Sequence, residues 1–254
     1  MKILVPVSGG KDSLCCLILA IWKHGLDNVT AVFNDTGWDH PVTYEYLDYL
    51  RSTLNIKIHS TLGATRRDGT PAYDLVSLIR AQGRFPFGLG RFCTSHLKQS
   101  ALRIWYRDNL FNPDEKYEFW FGMRTQESSQ RAKKYDGITY DDLFDMGDMF
   151  PKVYNKKLRA TIQVRLPVIE WSEQQIFDFL ELAGVDRNPL YYEGTNDRVG
   201  CYPCLLAGKK VQAKMFATKV GKQRLKIIKQ LEIELGQKYE MFDTDQDSCE
   251  LCKI

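Results

Sequence analysis

The sequence predicts an α/β fold with a mostly parallel, twisted sheet and helices on both faces. Three observations carry that prediction. Strand-like and helix-like apolar runs alternate through the first half of the chain. The first strand passes through a glycine-rich turn straight into a helix. Ser8, Asp35 and Gly122 each fall at the end of a strand-like run, where ligands lie in sheets of this kind.

In order along the chain, Ile3 to Val7 is a short apolar strand and Leu14 to Trp22 a helical run. Val29 to Phe33 reads as a buried strand. Pro41 to Leu54 reads as a helix, with Val42, Tyr46, Tyr49 and Leu50 at helical spacing. Ile56 to His59 is a third strand and Tyr73 to Ala81 a helix, followed by a glycine-rich loop from Gly83 to Arg91. Thr94 to Trp105 is helical, and Tyr117 to Phe121 is an aromatic strand ending at Gly122. From Arg131 to Ala160 the chain turns polar, which predicts a long surface excursion. Order returns at Leu166 to Ile169. Ser172 with Gln175 three residues on is a capping-box pattern, opening a helix to about Leu182. Lys209 to Lys238 is basic and helical, suited to a nucleic acid backbone or to a solvated face. This gives an α/β core over 1–130, an excursion over 131–160, and a mostly helical, cysteine-bearing region over 161–254 packed on the core.

The 254 residues suffice for one large domain, or one with a smaller companion. With 44% hydrophobic and 26% charged residues the chain is an ordinary globular one, and its net charge of +3 gives an anionic partner only slight support. No apolar run approaches the ~18 residues of a membrane span. A strand begins within a few residues of Met1, leaving no room for a leader, so a cytoplasmic location is expected. Seven cysteines, an odd number, disfavour a disulfide framework and leave metal ligation or thiol chemistry.

The turn after the first strand is Ser8-Gly9-Gly10-Lys11-Asp12-Ser13. Two glycines let backbone amides point inward, the helix that follows offers the positive end of its dipole, Lys11 adds a charge and Ser13 a hydroxyl. That combination binds phosphate. It is not a Walker A loop, because Asp12 follows Lys11 and no glycine stands five residues before Gly10. The dinucleotide pattern Gly-x-Gly-x-x-Gly is missing as well. The hexapeptide resembles the PP-loop of the N-type ATP pyrophosphatases, which cleave ATP between the α- and β-phosphates. That group includes sulfate adenylyltransferases, enzymes that thiolate tRNA or DNA and, with an altered loop, sulfonucleotide reductases. The resemblance implies an adenine nucleotide α-hydrolase-like fold.

Asp35 closes the second strand in Asp35-Thr36-Gly37-Trp38. A carboxylate there suits ribose hydroxyls or Mg²⁺. The turn is similar to one in sulfate adenylyltransferase small subunits and sulfonucleotide reductases. Gly122, Arg124 and Arg131 lie in Gly122-Met123-Arg124-Thr125-Gln126-Glu127-Ser128-Ser129-Gln130-Arg131. This segment resembles the Gly-x-Arg-x-x-Glu-Ser-x-x-Arg run of the phosphoadenosine phosphosulfate reductase superfamily, whose arginines hold anionic groups of the substrate. Lys98, in Arg91-Phe92-Cys93-Thr94-Ser95-His96-Leu97-Lys98, belongs to a second matching segment and is expected among the nucleotide contacts.

Cys201 and Cys204 form one Cys-x-x-Cys, Cys249 and Cys252 another, and Cys93 stands apart. The two pairs suit a zinc site, and three or four of these thiolates suit an iron–sulfur cluster. Arg198-Val199-Gly200-Cys201-Tyr202-Pro203-Cys204 resembles the cluster-binding region of the same superfamily, which implies a 4Fe–4S cluster on Cys93, Cys201 and Cys204. Cys252, or else Cys249, is the expected fourth ligand. Cys93-Thr94 stands where reductases usually carry adjacent cysteines, and is more like the DNA phosphorothioation enzymes. Cys15 and Cys16 read as core residues, and the four histidines show no ligand spacing.

The resemblance implies an ATP pyrophosphatase of sulfur transfer, using ATP and Mg²⁺, with Lys11, Asp12, Asp35 and Arg124 in the reaction. Ser8, Gly9, Gly10 and Ser13 complete the nucleotide contacts. Nucleic acid is the expected acceptor, with a cysteine desulfurase or another protein as sulfur donor; an oligomer stays open. The alternatives are a sulfonucleotide reductase, a sulfate adenylyltransferase-like enzyme and a subunit that senses ATP without turnover. Reductases typically lack the loop lysine and carry a Glu-Cys-Gly-Leu-His-type tail, which Ser248 to Cys252 resembles only loosely.

Overall fold

A computed structural model describes residues 1–64, 68–87, 90–149, 162–192 and 198–236. Its centre is a six-stranded sheet in the order β3-β2-β1-β4-β6-β5. The strands are β1 (Lys2–Val7), β2 (Val29–Asn34), β3 (Ile58–Thr61), β4 (Tyr117–Trp120), β5 (Phe144–Asp145) and β6 (Ile162–Arg165). Every pairing is parallel except β5 with β6. The helices are α1 (Lys11–His24), α2 (Pro41–Thr53), α3 (Leu75–Gln82), α4 (Ala101–Asn109), α5 (Ser129–Lys134), α6 (Met146–Met149), α7 (Glu173–Leu182), α8 (Lys209–Ala217) and α9 (Lys219–Glu234).

Strand periodicity divides the core. Ile3, Val5 and Val7 point to the face covered by Leu14, Leu17, Leu47 and Ile176, whereas Leu4 points to the face covered by Leu102, Tyr106 and Met146. A third cluster joins Trp38, Leu78, Phe85 and Leu97 to Phe216, Ile228 and Leu231, and so fixes α8 and α9 to the first half of the chain. Cys15 and Cys16 are core residues, as expected.

Local signals set the helix starts. Ser172 Oγ accepts from Gln175 N at 3.1 Å and Gln175 Oε1 accepts from Ser172 N at 2.8 Å, which is the predicted capping box. α2 opens with Pro41 at its first position and His40 Nδ1 accepting from Val42 N.

Three expectations need correction. β3 spans Ile58–Thr61 rather than Ile56 to His59, because its ladder runs from Ala31↔Ile58 to Asn34↔Thr61. The helix expected from Thr94 begins with wide π-type turns over Thr94–Ser100 before α4. The stretch expected as a surface excursion from 131 is partly core up to residue 149. Tyr135, Met146 and Met149 are buried, and β5 forms a sheet edge. Residues 150–161 lie outside the described residues. The sheet also crosses the expected start of the C-terminal region at 161, since β6 lies between β4 and β5.

Strand order reverses between β1 and β4. Neighbours on one side continue through β2 and β3, and on the other through β6 and β5. The crevice beyond the carboxyl ends of β1 and β4 is therefore the switch point where ligands bind in open α/β sheets.

Candidate functional site

The turn from β1 into α1 sits at that switch point. Gly9 adopts φ +74°, a left-handed conformation, and a Cβ there would meet Thr43 Cγ2 at 2.9 Å. Ser13 holds the turn's shape: its Oγ donates to Gly10 O at 3.0 Å and accepts from Ser8 N at 3.1 Å. Ser8 Oγ lies 3.2 Å from the same hydroxyl. Asn188 Nδ2 donates to Gly9 O at 3.1 Å, and Tyr191 Oη accepts from Lys11 N at 3.0 Å.

Lys11 is buried beneath this turn. Its Nζ lies 3.0 Å from Glu173 Oε1 and 3.8 Å from Asp12 Oδ2, with the Tyr191 ring 5.1 Å and the Phe177 ring 5.8 Å away. The side chain of Lys11 is 3% exposed and that of Glu173 53%. Glu173 is the first residue of α7, so a solvent-facing carboxylate holds the buried ammonium.

Gly122 and Arg124 approach from the end of β4. A Cβ at Gly122 would lie 2.5 Å from Asp12 C and Ser13 N, so glycine here lets α1 and the β4 loop touch backbone to backbone. Arg124 Nε donates to Asp12 Oδ1 at 2.5 Å and its Nη1 to Trp171 O at 3.3 Å. Arg131 pairs instead with Glu127, whose other contact is the Arg124 amide. Burial, helped by Arg198, lowers the pKa of the Arg131 guanidinium.

Asp35 follows the last residue of β2 and is half-buried. Its Oδ1 accepts from Gly37 N at 2.8 Å and from Tyr44 Oη at 2.8 Å, and its amide donates to Thr61 O. Burial and this carboxylate together push the Tyr44 phenol well up. The next turn leads to the cysteines. Thr36 Oγ1 lies 3.4 Å from Cys201 Sγ, Tyr202 N donates to Trp38 O at 2.7 Å, and Trp38 Nε1 donates to Pro203 O at 3.0 Å.

Cys93, Cys201 and Cys204 line one cavity of about 70 Å³ together with Lys98 and Thr36. Burial raises the Cys201 thiol to about 11 and also raises Cys93, against the pull of the Lys98 ammonium. Lys98 itself is pushed up, by Cys201 first; burial opposes this, while Asp39, Cys204 and Cys93 add to it. Asp39 is 3% exposed and accepts from Thr36 Oγ1 at 2.7 Å; its pKa is raised by burial and restrained by Lys98. Lys98, expected among the nucleotide contacts, thus faces the thiols.

A profile of the phosphoadenosine phosphosulfate reductase domain matches residues 2–207. The chain belongs to that family. It is 32% identical to a 37.8 kDa protein of Escherichia phage 186, over 84% of this chain and 70% of the phage protein. It is 28% identical to protein MJ0066 of Methanocaldococcus jannaschii, over 80% of this chain and 36% of that one. Its fold is similar to that of a phosphoadenylyl-sulfate reductase from Candida auris, solved with phosphate. The TM-score is 0.54 at 14% identity, covering 80% of this chain and 83% of the other.

Within the family framework, the donor set of the cysteine cavity agrees in kind with an iron–sulfur centre or zinc, since three soft sulfurs share one buried space. Among the described residues, no group of three or more His, Cys, Asp or Glu stands close enough to hold an ion. Cys249 and Cys252, the candidates for the fourth ligand, lie outside the described residues. Among the described residues, no helix is long and apolar enough to cross a membrane.

Sequence reasoning missed Glu173, Phe177, Asn188 and Tyr191 as partners of the loop. Asn188 and Tyr191 lie in the segment that leads to Cys201, and Glu173 sits inside the capping box. The signal for Glu173 was one of local structure; Asn188 and Tyr191 stood in a segment whose resemblance pointed to the cysteines rather than to the loop.

Proposed function

We propose that the chain is an ATP pyrophosphatase that activates an acceptor, a nucleic acid, for sulfur transfer. The loop at the switch point carries this reading: a buried Lys11, a turn with Gly9 in the left-handed conformation, and the Asp12–Arg124 pair beside them. In the first step an acceptor oxygen attacks the α-phosphorus of ATP, and the bond to the bridging oxygen breaks as pyrophosphate leaves. Lys11 and the loop amides stabilise the departing charge. In the second step a sulfur nucleophile displaces AMP.

Entry of a phosphate requires Lys11 to exchange the Glu173 carboxylate for a phosphate oxygen. Arg124 fixes Asp12 in position, and Asp12 or Asp35 would hold Mg²⁺. When bound, that ion would spread the charge of the leaving group. Cys93, Cys201 and Cys204 would hold a 4Fe–4S cluster, which supplies a site for sulfur delivery.

The family match favours a second reading, sulfonucleotide reduction. The loop lysine, absent from most such reductases, argues against it. Anaerobically purified protein is incubated with labelled ATP and Mg²⁺, with and without DNA or RNA. Release of AMP and pyrophosphate is expected. Sulfite from a nucleotide sulfate without ATP cleavage would establish the reductase instead, and ATP binding without turnover a sensor.

A further inference from the structure

Positive charge is unevenly placed along this chain. Residues 209–229 hold eight Lys and Arg and no Asp or Glu. Taking eight from the chain's 35 cations leaves 27 against 32 acids, so the remainder carries −5. Two of those acids, Glu232 and Glu234, stand at the end of α9 itself, and residues 1–208 hold 25 Lys and Arg against 25 Asp and Glu, so the basic run of the helix pair stands against a neutral 1–208.

The structure turns that run into a surface. Lys210, Lys214, Lys219, Lys222 and Lys226 are exposed, and among the described residues none of the five has an ion-pair partner. Lys219, Lys222 and Lys226 recur at helical spacing along one side of α9. The helix pair is closely packed: a Cβ at Gly221 would lie 1.9 Å from Met215 O. Met215, Phe216, Ile228 and Leu231 are buried; Ile227 and Ile233 are exposed singly, and the rest of the exposed side is mainly lysine. A helix that lies in a membrane surface keeps its apolar face free for lipid, which this pair does not.

The surface adjoins the site. Arg224 lies 4.4 Å above the Trp38 ring and donates to Gly37 O and Asp39 O, in the turn that follows Asp35. Gln212 Nε2 donates to Leu205 O at 3.0 Å, beside Cys204. α9 thus packs on the Asp35 turn by the side that carries Arg224, Ile228 and Leu231, and the Lys219, Lys222 and Lys226 stripe lies on its outer side, away from that contact.

We propose that the outer face of α8 and α9 binds the phosphate backbone of a nucleic acid beside the site. The purpose of that strand rests on the sulfur-transfer reading; the binding does not, and it is measured without ATP. Labelled 20-nucleotide DNA and RNA oligonucleotides, single- and double-stranded, are titrated by fluorescence anisotropy between 50 and 200 mM salt. The full chain is compared with a triple variant, Lys219→Glu, Lys222→Glu and Lys226→Glu. A second triple variant, Lys23→Glu, Lys57→Glu and Lys116→Glu, changes the net charge equally elsewhere. The α9 variant is expected to bind at least about tenfold more weakly at 100 mM salt. Its plot of log affinity against log salt should flatten by about two to three, at roughly 0.7–0.9 per phosphate contact. The second variant should keep most of the affinity. Equal losses in both variants, parent-like binding by the α9 variant, or binding to phosphatidylserine vesicles but no oligonucleotide would overturn the proposal. ATP-induced thermal shifts, retained by the α9 variant, show that the nucleotide site is intact. If oligonucleotides bind as expected and no AMP appears, the sulfur-transfer reading fails and the surface stands.

Discussion

Replacing Gly122 by alanine tests how the sheet positions the loop. The added Cβ would lie 2.5 Å from Asp12 C and Ser13 N and 2.6 Å from Asp12 O, where ordinary contact begins at 3.4 Å. All three atoms are backbone, so no rotamer change relieves the overlap. The first turn of α1 must recede by about 0.9 Å, or β4 must leave its place beside β1. Overpacking of this kind costs about 1–3 kcal/mol. In a chain of this size that corresponds to a Tm lowered by about 2–12 °C. The displaced residues carry Lys11 and the Asp12–Arg124 contact, and a misplacement of about 1 Å costs roughly 100-fold in rate. Differential scanning fluorimetry with and without ATP and Mg²⁺, together with AMP release, gives both readouts. Gly208→Ala is the control, since its Cβ meets nothing within 4 Å. A Gly122→Ala protein with the parent's Tm and its full ATP-induced shift would refute the reasoning.

Glu173→Gln removes the carboxylate that rivals phosphate for Lys11 Nζ. With Glu173 half-exposed the pair contributes at most about 1 kcal/mol, so ATP or pyrophosphate should bind about three- to fivefold more tightly by calorimetry. Weaker binding by a stably folded variant would make Glu173 a ligand-side group rather than a rival. On the opposite side of the sheet's acid balance, Glu118 is 4% exposed and accepts from Arg165 Nε at 2.9 Å and Trp120 Nε1 at 2.8 Å. Burial is the largest single influence and pushes its pKa up, but these two hydrogen bonds together with the charges of Arg165 and His24 outweigh it and hold the carboxyl below its ordinary 4.5. Stability from this group is present above the unfolded value and is lost as pH falls through the folded one. Glu118→Gln should therefore flatten the acid limb of Tm against pH. Arg165→Met should cost about 3–5 kcal/mol at neutral pH, by denaturant melting.

What the sequence disclosed and what it concealed divide along sequence distance. The strand–turn–helix of the loop and the Ser172–Gln175 box depend on neighbours a few residues apart, and their residue types declare them. Cys93 and the Cys201–Cys204 pair were brought to one cavity by resemblance, and the cavity is there. Lys98 was assigned to the nucleotide because its segment resembles one of the superfamily, and a resemblance does not say which part of a site a side chain faces. In the fold it lines the cavity of the three cysteines. Tyr191, which accepts from Lys11 N, is 180 residues away from it, and nothing local in either segment announces the other.

That distance has a chemical consequence. Lys11 by itself is a buried cation, which is costly unless it is paired. The carboxylates that offset the cost come from two sources: Asp12 on its own helix, which Arg124 also claims, and Glu173 at the start of the distant helix α7. Glu173 alone of the two is half-exposed, so it can turn outward to water at small cost, while Asp12 stays fixed by Arg124. On the proposed function, a phosphate entering the crevice would displace Glu173 and leave Asp12 in place. Glu173 would then be the counterion that holds Lys11 until a ligand arrives, and its place at the start of α7, half in water, suits that exchange.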